Sequence, residues 1–203
     1  MAEDERVFSH DNLDLEEEGM PSCPAPEDWR AELVWVHYKL FQPPESHPEL
    51  AEGLPDCGIG WLGILDRLCT QLQYLLDEEG KGNTIKLMQI KEEQGLLRVS
   101  WNGLLSQSTT ANVDKLIELA CACSACTCEI CSEEGRLYRR GSYLATACDL
   151  HAKGERAPMK PGLENIYIRR GEINGKIQIL SCRRYDPKTN SFTDVSPASL
   201  GLE

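Results

Sequence analysis

Residues 121–131 read Cys-Ala-Cys-Ser-Ala-Cys-Thr-Cys-Glu-Ile-Cys, so half of the chain's ten cysteines fall within one short run. How these five thiols divide decides the fold. Cys128 and Cys131 form a Cys-x2-Cys pair, and sixteen residues further on Cys148 and His151 form a Cys-x2-His pair. Each pair can chelate from one tight backbone turn, and two such turns complete the tetrahedron that a structural zinc takes. A coordinated thiolate is held deprotonated, which suits neutral pH. The expectation is one structural zinc held by Cys128, Cys131, Cys148 and His151. Cys121, Cys123 and Cys126 differ, because they fall where a helical apolar stripe is still running. Cys123 and Cys126 are three apart and would share a helix face. A second metal site there would need distant ligands such as Cys57, Cys182 or Cys23, and buried packing thiols are the simpler reading. A metallothionein-like thiolate cluster does not suit the apolar, well-patterned sequence around the run.

Upstream, Val113, Leu116, Ile117 and Ala120 recur at helical spacing, in a helix expected to start near Thr109 to Asn112. The clearest helix is Cys57 to Gly82, with Trp61, Ile64, Leu65, Leu68, Leu72, Leu75 and Leu76 on one face, Cys69 beside them, and Gly80 and Gly82 as its stop. An earlier helix should follow Glu27 and Asp28, on a stripe of Trp29, Leu33, Val36 and Leu40 widened by Trp35, although its β-branched and aromatic content leaves a strand open. Residues 84–90 and 95–101 read as strands separated by Lys-Glu-Glu-Gln, with Leu97, Val99 and Trp101 on one face and Asn102-Gly103 as a turn. Beyond the cysteines, residues 136–140 and 142–148 read as a short hairpin. Residues 165–173 and 176–185 flank Asn174-Gly175 as a strong hairpin, and 191–195 read as a third strand.

The expected fold class is α+β. Two amphipathic helices lie on a small antiparallel sheet, with a zinc knuckle and a C-terminal three-stranded β meander. The divisions are an acidic disordered tail over 1–26, a zinc-binding α+β domain over 27–152, a linker over 153–163 and the meander over 164–203. No apolar run is long enough to span a membrane, and no secretion signal is visible. The expected location is therefore cytoplasmic, where thiols stay reduced.

Four stretches together resemble a known family. They are Gly-Trp-Leu-Gly-Ile-Leu-Asp-Arg-Leu-Cys (60–69), Ile-Lys-Glu-Glu-Gln-Gly-Leu-Leu-Arg-Val-Ser (90–100), Ser-Ala-Cys-Thr-Cys-Glu-Ile-Cys-Ser (124–132) and Tyr-Leu-Ala-Thr-Ala-Cys-Asp-Leu-His-Ala (143–152). Residues 58–152 resemble a family of small, largely uncharacterised bacterial and phage zinc-knuckle proteins. That family shows a Gly-Trp helix, a Lys-Glu-Lys-Phe-Gly-Gly-Leu-Arg strand start, a Cys-Glu-x-Cys-Gly knuckle and a closing Cys-x-x-His or Cys-x-x-Cys pair. Here Glu93-Gln94 replaces the Lys-Phe, Leu96 replaces the second Gly, and Ser132 replaces the knuckle Gly. None of these departures removes a ligand, and in the family pattern the positions of Cys121, Cys123 and Cys126 need not be cysteine. The resemblance implies a zinc-knuckle domain and supplies no activity.

The residues lean against an enzyme. The expected ligand set fills all four zinc positions, whereas a catalytic zinc keeps one open. The sequence has no His-Glu-x-x-His, no phosphate loop and no Gly-x-Ser-x-Gly. Charge suggests partners instead. The net charge is -12, yet residues 1–28 hold ten acids against one base, while residues 136–188 hold twelve bases against five acids. Arg139, Arg140, Arg169, Arg170, Arg183 and Arg184 come in three pairs, interleaved with Tyr138, Tyr167 and Tyr185. If aligned on adjacent strands they would offer a phosphate-binding stripe with stacking rings. Neighbours in a strand point to opposite faces, however, which would split each pair. The leading reading is a non-catalytic module docking a protein partner. The alternatives are a nucleic-acid-associated regulator, or a phage or mobile-element inhibitor of a host defence machine whose acidic tail imitates DNA.

Overall fold

The structure, a computed structural model, describes residues 28–45, 47–79 and 83–202. The acidic segment 1–26, with Cys23, and the Gly80/Gly82 helix stop lie outside these residues.

Asp28 starts α1 (Trp29–Val36), its carboxylate accepting from the amides of Arg30 and Ala31. The single helix expected through Leu40 is broken at His37, and the chain resumes as α2 (Tyr38–Phe41). The Trp-Val-His-Tyr run is poor in helix formers. The His37 ring is also held sideways, Nε2 at 3.0 Å from Asp66 Oδ1 and Nδ1 at 2.9 Å from Gln73 Oε1. The break re-aims the apolar face. Ala31, Leu33, Val34, Leu40 and Phe41 are buried, while Val36, expected on the stripe, is 60% exposed.

A short 3-10 turn, Ile59–Trp61, leads into α3 (Leu62–Glu79). Trp61, Ile64, Leu65, Leu68, Cys69 and Leu72 are buried as their spacing predicts. The first sheet has the order β1 (Pro55–Asp56), β2 (Thr84–Glu93), β3 (Leu96–Leu104). It is mixed rather than antiparallel, because β1 runs parallel to β2 from the end of a stretch that holds Pro43, Pro44, Pro48 and Pro55. The β2–β3 turn is Gln94-Gly95, both with positive φ, so Lys91 to Glu93 belong to the strand. Asn102-Gly103 makes no turn and lies inside β3, opposite Lys86 and Ile85. A Cβ at Gly103 would collide with the Thr84 carbonyl, so close approach of the strands is what needs glycine there.

Ser106 caps α4 (Gln107–Ser124), which begins slightly before the expected Thr109. Val113 and Ala120 are buried against α3 and the sheet, with Leu116 and Ile117 partly so. The hairpin of β4 (Arg136–Arg140) and β5 (Tyr143–Ala147) gains a third strand, β6 (Glu155–Arg156), from within the expected linker. The meander is as read, β7 (Ile166–Ile173), β8 (Lys176–Asp186) and β9 (Ser191–Asp194) in sequential order, turning at Asn174-Gly175. The mix is therefore α+β with three small sheets, the main core lying among the helices and the first sheet, and a second, smaller cluster at Cys128, Ala147 and Cys148. Among the described residues, no helix is long and apolar enough to cross a membrane.

Candidate metal centre

The chain leaves α4 through a tight loop. Gly135 N reaches back to Cys126 O at 2.8 Å, and Cys128 N donates to Glu133 O at 2.8 Å. Within that loop Ser132 N donates to Cys128 O at 3.0 Å, closing the first chelating turn. Ser132 takes the left-handed conformation at φ 67, which explains why a glycine suits this knuckle position. Its hydroxyl donates to Gly60 O at 2.8 Å. The second turn leaves β5 and closes with His151 N on Cys148 O at 3.1 Å. The two turns are joined where Glu129 N donates to Thr146 O at 3.1 Å.

These turns bring together the four residues expected to bind metal. One ligand atom from each of Cys128, Cys131, Cys148 and His151 lies within 4.8 Å of every other. Cys131 Sγ is 3.6 Å from Cys148 Sγ, while His151 Nδ1 is 3.2 Å from Cys148 Sγ and 3.7 Å from Cys128 Sγ. A tetrahedral zinc with metal–sulfur bonds near 2.3 Å and metal–nitrogen bonds near 2.0 Å has edges of about 3.8 Å between sulfurs and about 3.5 Å between sulfur and nitrogen. The cluster therefore fits a four-coordinate metal. Among the described residues it is the only Cys/His/Asp/Glu group so arranged.

The local field favours the thiolate at Cys128 and opposes it at Cys131. Burial works against ionising Cys128, but the amides of Cys148, Ile130 and Cys131 and the His151 ring outweigh it and hold this thiol at about 6. Cys131 has an amide from Glu133 pulling it down, yet burial and the neighbouring sulfurs of Cys128 and Cys148 push it up to about 11. A second and third negative sulfur repel the first, and a dication removes that cost.

The centre is also an anchor. Glu129 O accepts from Gly60 N at 2.8 Å, and its carboxylate accepts from Gly58 N at 2.8 Å. Trp61 Nε1 donates to Thr127 O at 2.9 Å from a fully buried ring. A Cβ on Gly58 would strike Glu129, and one on Gly60 would strike the Cys128 and Glu129 backbone. The Gly-x-Gly-Trp motif is thus the socket into which the first knuckle sits. From the other side, Thr146 Oγ1 donates to Gly95 O at 2.6 Å and ties the knuckle hairpin to the β2–β3 turn. Spacing alone gives the four clustered residues. The socket was open to recognition in Gly58, Gly60 and Trp61, but glycine kept for close approach looks like glycine kept for a turn.

The other cysteines lie apart from the centre. Cys121 is buried on α4 with Arg98 Nη1 3.7 Å from its sulfur. Cys123 sits near Thr127, and Cys126, past the helix end, donates to Asn165 Oδ1 at 3.3 Å. Burial pushes Cys126 up to about 11, Cys57 up to about 12, and Cys69 higher still. These are the properties of packing thiols.

The arginine pairs do not form one stripe. Arg139 and Arg140 lie on β4, in a different sheet from Arg169 and Arg170 on β7 and Arg183 and Arg184 on β8. Arg183 pairs with Glu118 of α4 and lies 4.4 Å over the Phe192 ring, and Arg169 also reaches Glu118 at 3.6 Å. Arg184 donates to Gly162 O at 2.8 Å. Tyr185 is 2% exposed with its hydroxyl bonded to Asn190, so its ring presents no free stacking face, and Tyr167 is half-buried with its ring tilted against Phe192. Tyr138 packs on the metal cluster and donates to Asp149. Arg139, Arg140 and Arg170 are exposed. No family model, no curated protein and no solved structure matches this chain, so the geometry of the four-ligand centre carries the functional reading.

Proposed function

We propose that the chain is a non-catalytic, zinc-stabilised interaction module in which Cys128, Cys131, Cys148 and His151 hold one structural zinc. The observation that carries this is the close spacing of a complete Cys/His ligand set, with ligand atoms 3.6 and 3.7 Å apart across the two turns and 3.2 Å apart within the second. Zinc supplies a redox-inert, tetrahedral cross-link and no chemistry beyond it. The protein's own residues do the rest, as Glu129, Ser132 and Thr127 lock the knuckle onto the start of α3 and Thr146 locks it onto the sheet.

The docking role is supported by what the turns turn outward. Leu150, between the second pair of ligands, is 91% exposed, Ile130, between the first pair, 49%, and Ile59, within the socket, 54%. Apolar side chains held out on metal-braced turns are ordered before a partner arrives, which lowers the entropy cost of binding. A partner would be a protein with an apolar contact patch. The test has two arms. Chelation should lower the thermal midpoint and shift Trp61 emission to the red, and an unchanged melt and spectrum would overturn the zinc reading. Ile130→Asp with Leu150→Asp should keep the metal and the melt while losing partners that wild type captures in a quantitative comparison. Identical capture by both forms would overturn the docking reading.

A further inference from the structure

The C-terminal hairpin is longer than the strand beside it. β9 covers only Arg183 to Asp186 of β8, so Lys176 to Ser181 have β7 on one side and, among the described residues, no strand on the other. The ladder fixes which backbone groups aim at that open side. Ile173 opposite Lys176 flanks the two-residue turn, so Lys176 and Gln178 bond inward to β7, and Ile177 and Ile179 aim outward. A bulge between Arg169 and Arg170 shifts the register, after which Cys182 and Arg184 aim outward. Cys182 O does meet a group on that side, accepting from Val195 N at 2.9 Å. The N–H and C=O groups of Ile177 and Ile179 thus form a short open edge just beyond the end of β9.

Proteins usually blunt such an edge with proline, inward-pointing charge or a covering loop. Residues 176–181, Lys-Ile-Gln-Ile-Leu-Ser, contain no proline and one charge, at the far end. The edge instead carries apolar side chains, with Ile177 76% and Leu180 45% exposed.

We infer that this edge pairs antiparallel with the same edge of a second copy of the chain, about a two-fold axis at Gln178. The register is self-complementary. Centring on Gln178 sets Ile177 opposite the partner's Ile179, and Ile179 opposite the partner's Ile177, both as positions that exchange two hydrogen bonds. Gln178 then faces its own copy, and a side-chain amide both donates to and accepts from another amide. No like charges oppose each other, and the isoleucines form the cross-strand β-branched pairs that stabilise sheets. The pairing joins two meanders into one continuous sheet and stops short of Val195, just past the end of β9.

The test is mass against concentration for the full metal-loaded chain, by sedimentation or light scattering from low to high micromolar. Wild type is expected to pass from one-chain to two-chain mass, with the Ile177 and Ile179 amides gaining protection from hydrogen exchange. Ile179→Pro removes an outward N–H without touching the β7 ladder and should abolish the two-chain species at unchanged thermal midpoint. Ile177→Lys with Ile179→Lys, which puts like charges across the axis, should do the same should the proline disturb the bulge. A wild type that stays at one-chain mass, leaving the edge to a strand from a different protein, overturns the inference, as does a dimer that survives both variants.

Discussion

Two glycines near the knuckle behave differently although they lie three residues apart. Gly60 has the Cys128 and Glu129 backbone where a Cβ would go, and backbone cannot swing aside. Gly60→Ala should cost about 2 kcal/mol or more and weaken metal retention. Gly63 has nothing within 4 Å of a Cβ and sits in the first turn of α3. Gly63→Ala should stabilise by about 0.5 kcal/mol through helix propensity. Chemical denaturation of the two variants checks both signs. The ligands themselves set a pH dependence. Cys128 is held down at about 6 and so is already a thiolate near neutrality, whereas Cys131, pushed up to about 11, must lose a proton to bind. Affinity for zinc should therefore rise with pH through the neutral range, and should fall further once acidification passes about 6 and protonates Cys128. Competition with a chromophoric chelator across pH measures this, and a flat profile would contradict it.

At the scale of elements, the legible parts were those with local signals. Asn174-Gly175 announces its hairpin because both residues tolerate positive φ, and the α3 stripe from Trp61 to Leu72 is one long unbroken pattern. The cluster of Cys128, Cys131, Cys148 and His151 was legible because chelation by a tight turn depends on spacing alone. What stayed hidden depends on distant partners. The break at His37 follows from Asp66 and Gln73 on another helix, and the role of Gly103 follows from Thr84 across the sheet. The arginine pairs misled because sequence shows adjacency and not sheet membership, and Arg183 finds Glu118 through packing of the meander on α4. His37 is 3% exposed, so His37→Ala leaves a cavity and two helix side chains without their partner. A loss of about 2 to 3 kcal/mol is expected. It should appear as a lower thermal midpoint with zinc content intact, since the strut meets α3 at Asp66 and Gln73, outside the Gly58–Trp61 segment that carries the knuckle's hydrogen bonds.

Across the whole molecule, the metal centre is where three parts meet. The Gly58–Trp61 socket at the head of α3, the β2–β3 turn at Gly95 and the β4–β5 hairpin all fasten to the knuckle backbone. The cluster of Cys128, Ala147 and Cys148 is too small to hold these together by apolar burial alone. Metal binding at such sites supplies on the order of 10 kcal/mol of folding free energy. Removing it should therefore unfold the knuckle beyond α4, residues 125–152, cooperatively while the core of α3, α4 and the first sheet persists, giving a partial loss of circular dichroism and a second, lower transition. The most direct measurement is zinc per chain by elemental analysis, on protein purified without added metal, for wild type and a Cys121→Ser/Cys123→Ser/Cys126→Ser variant. One zinc in each is the predicted result. A wild type without zinc would contradict the central claim, and so would a variant holding one metal fewer than wild type.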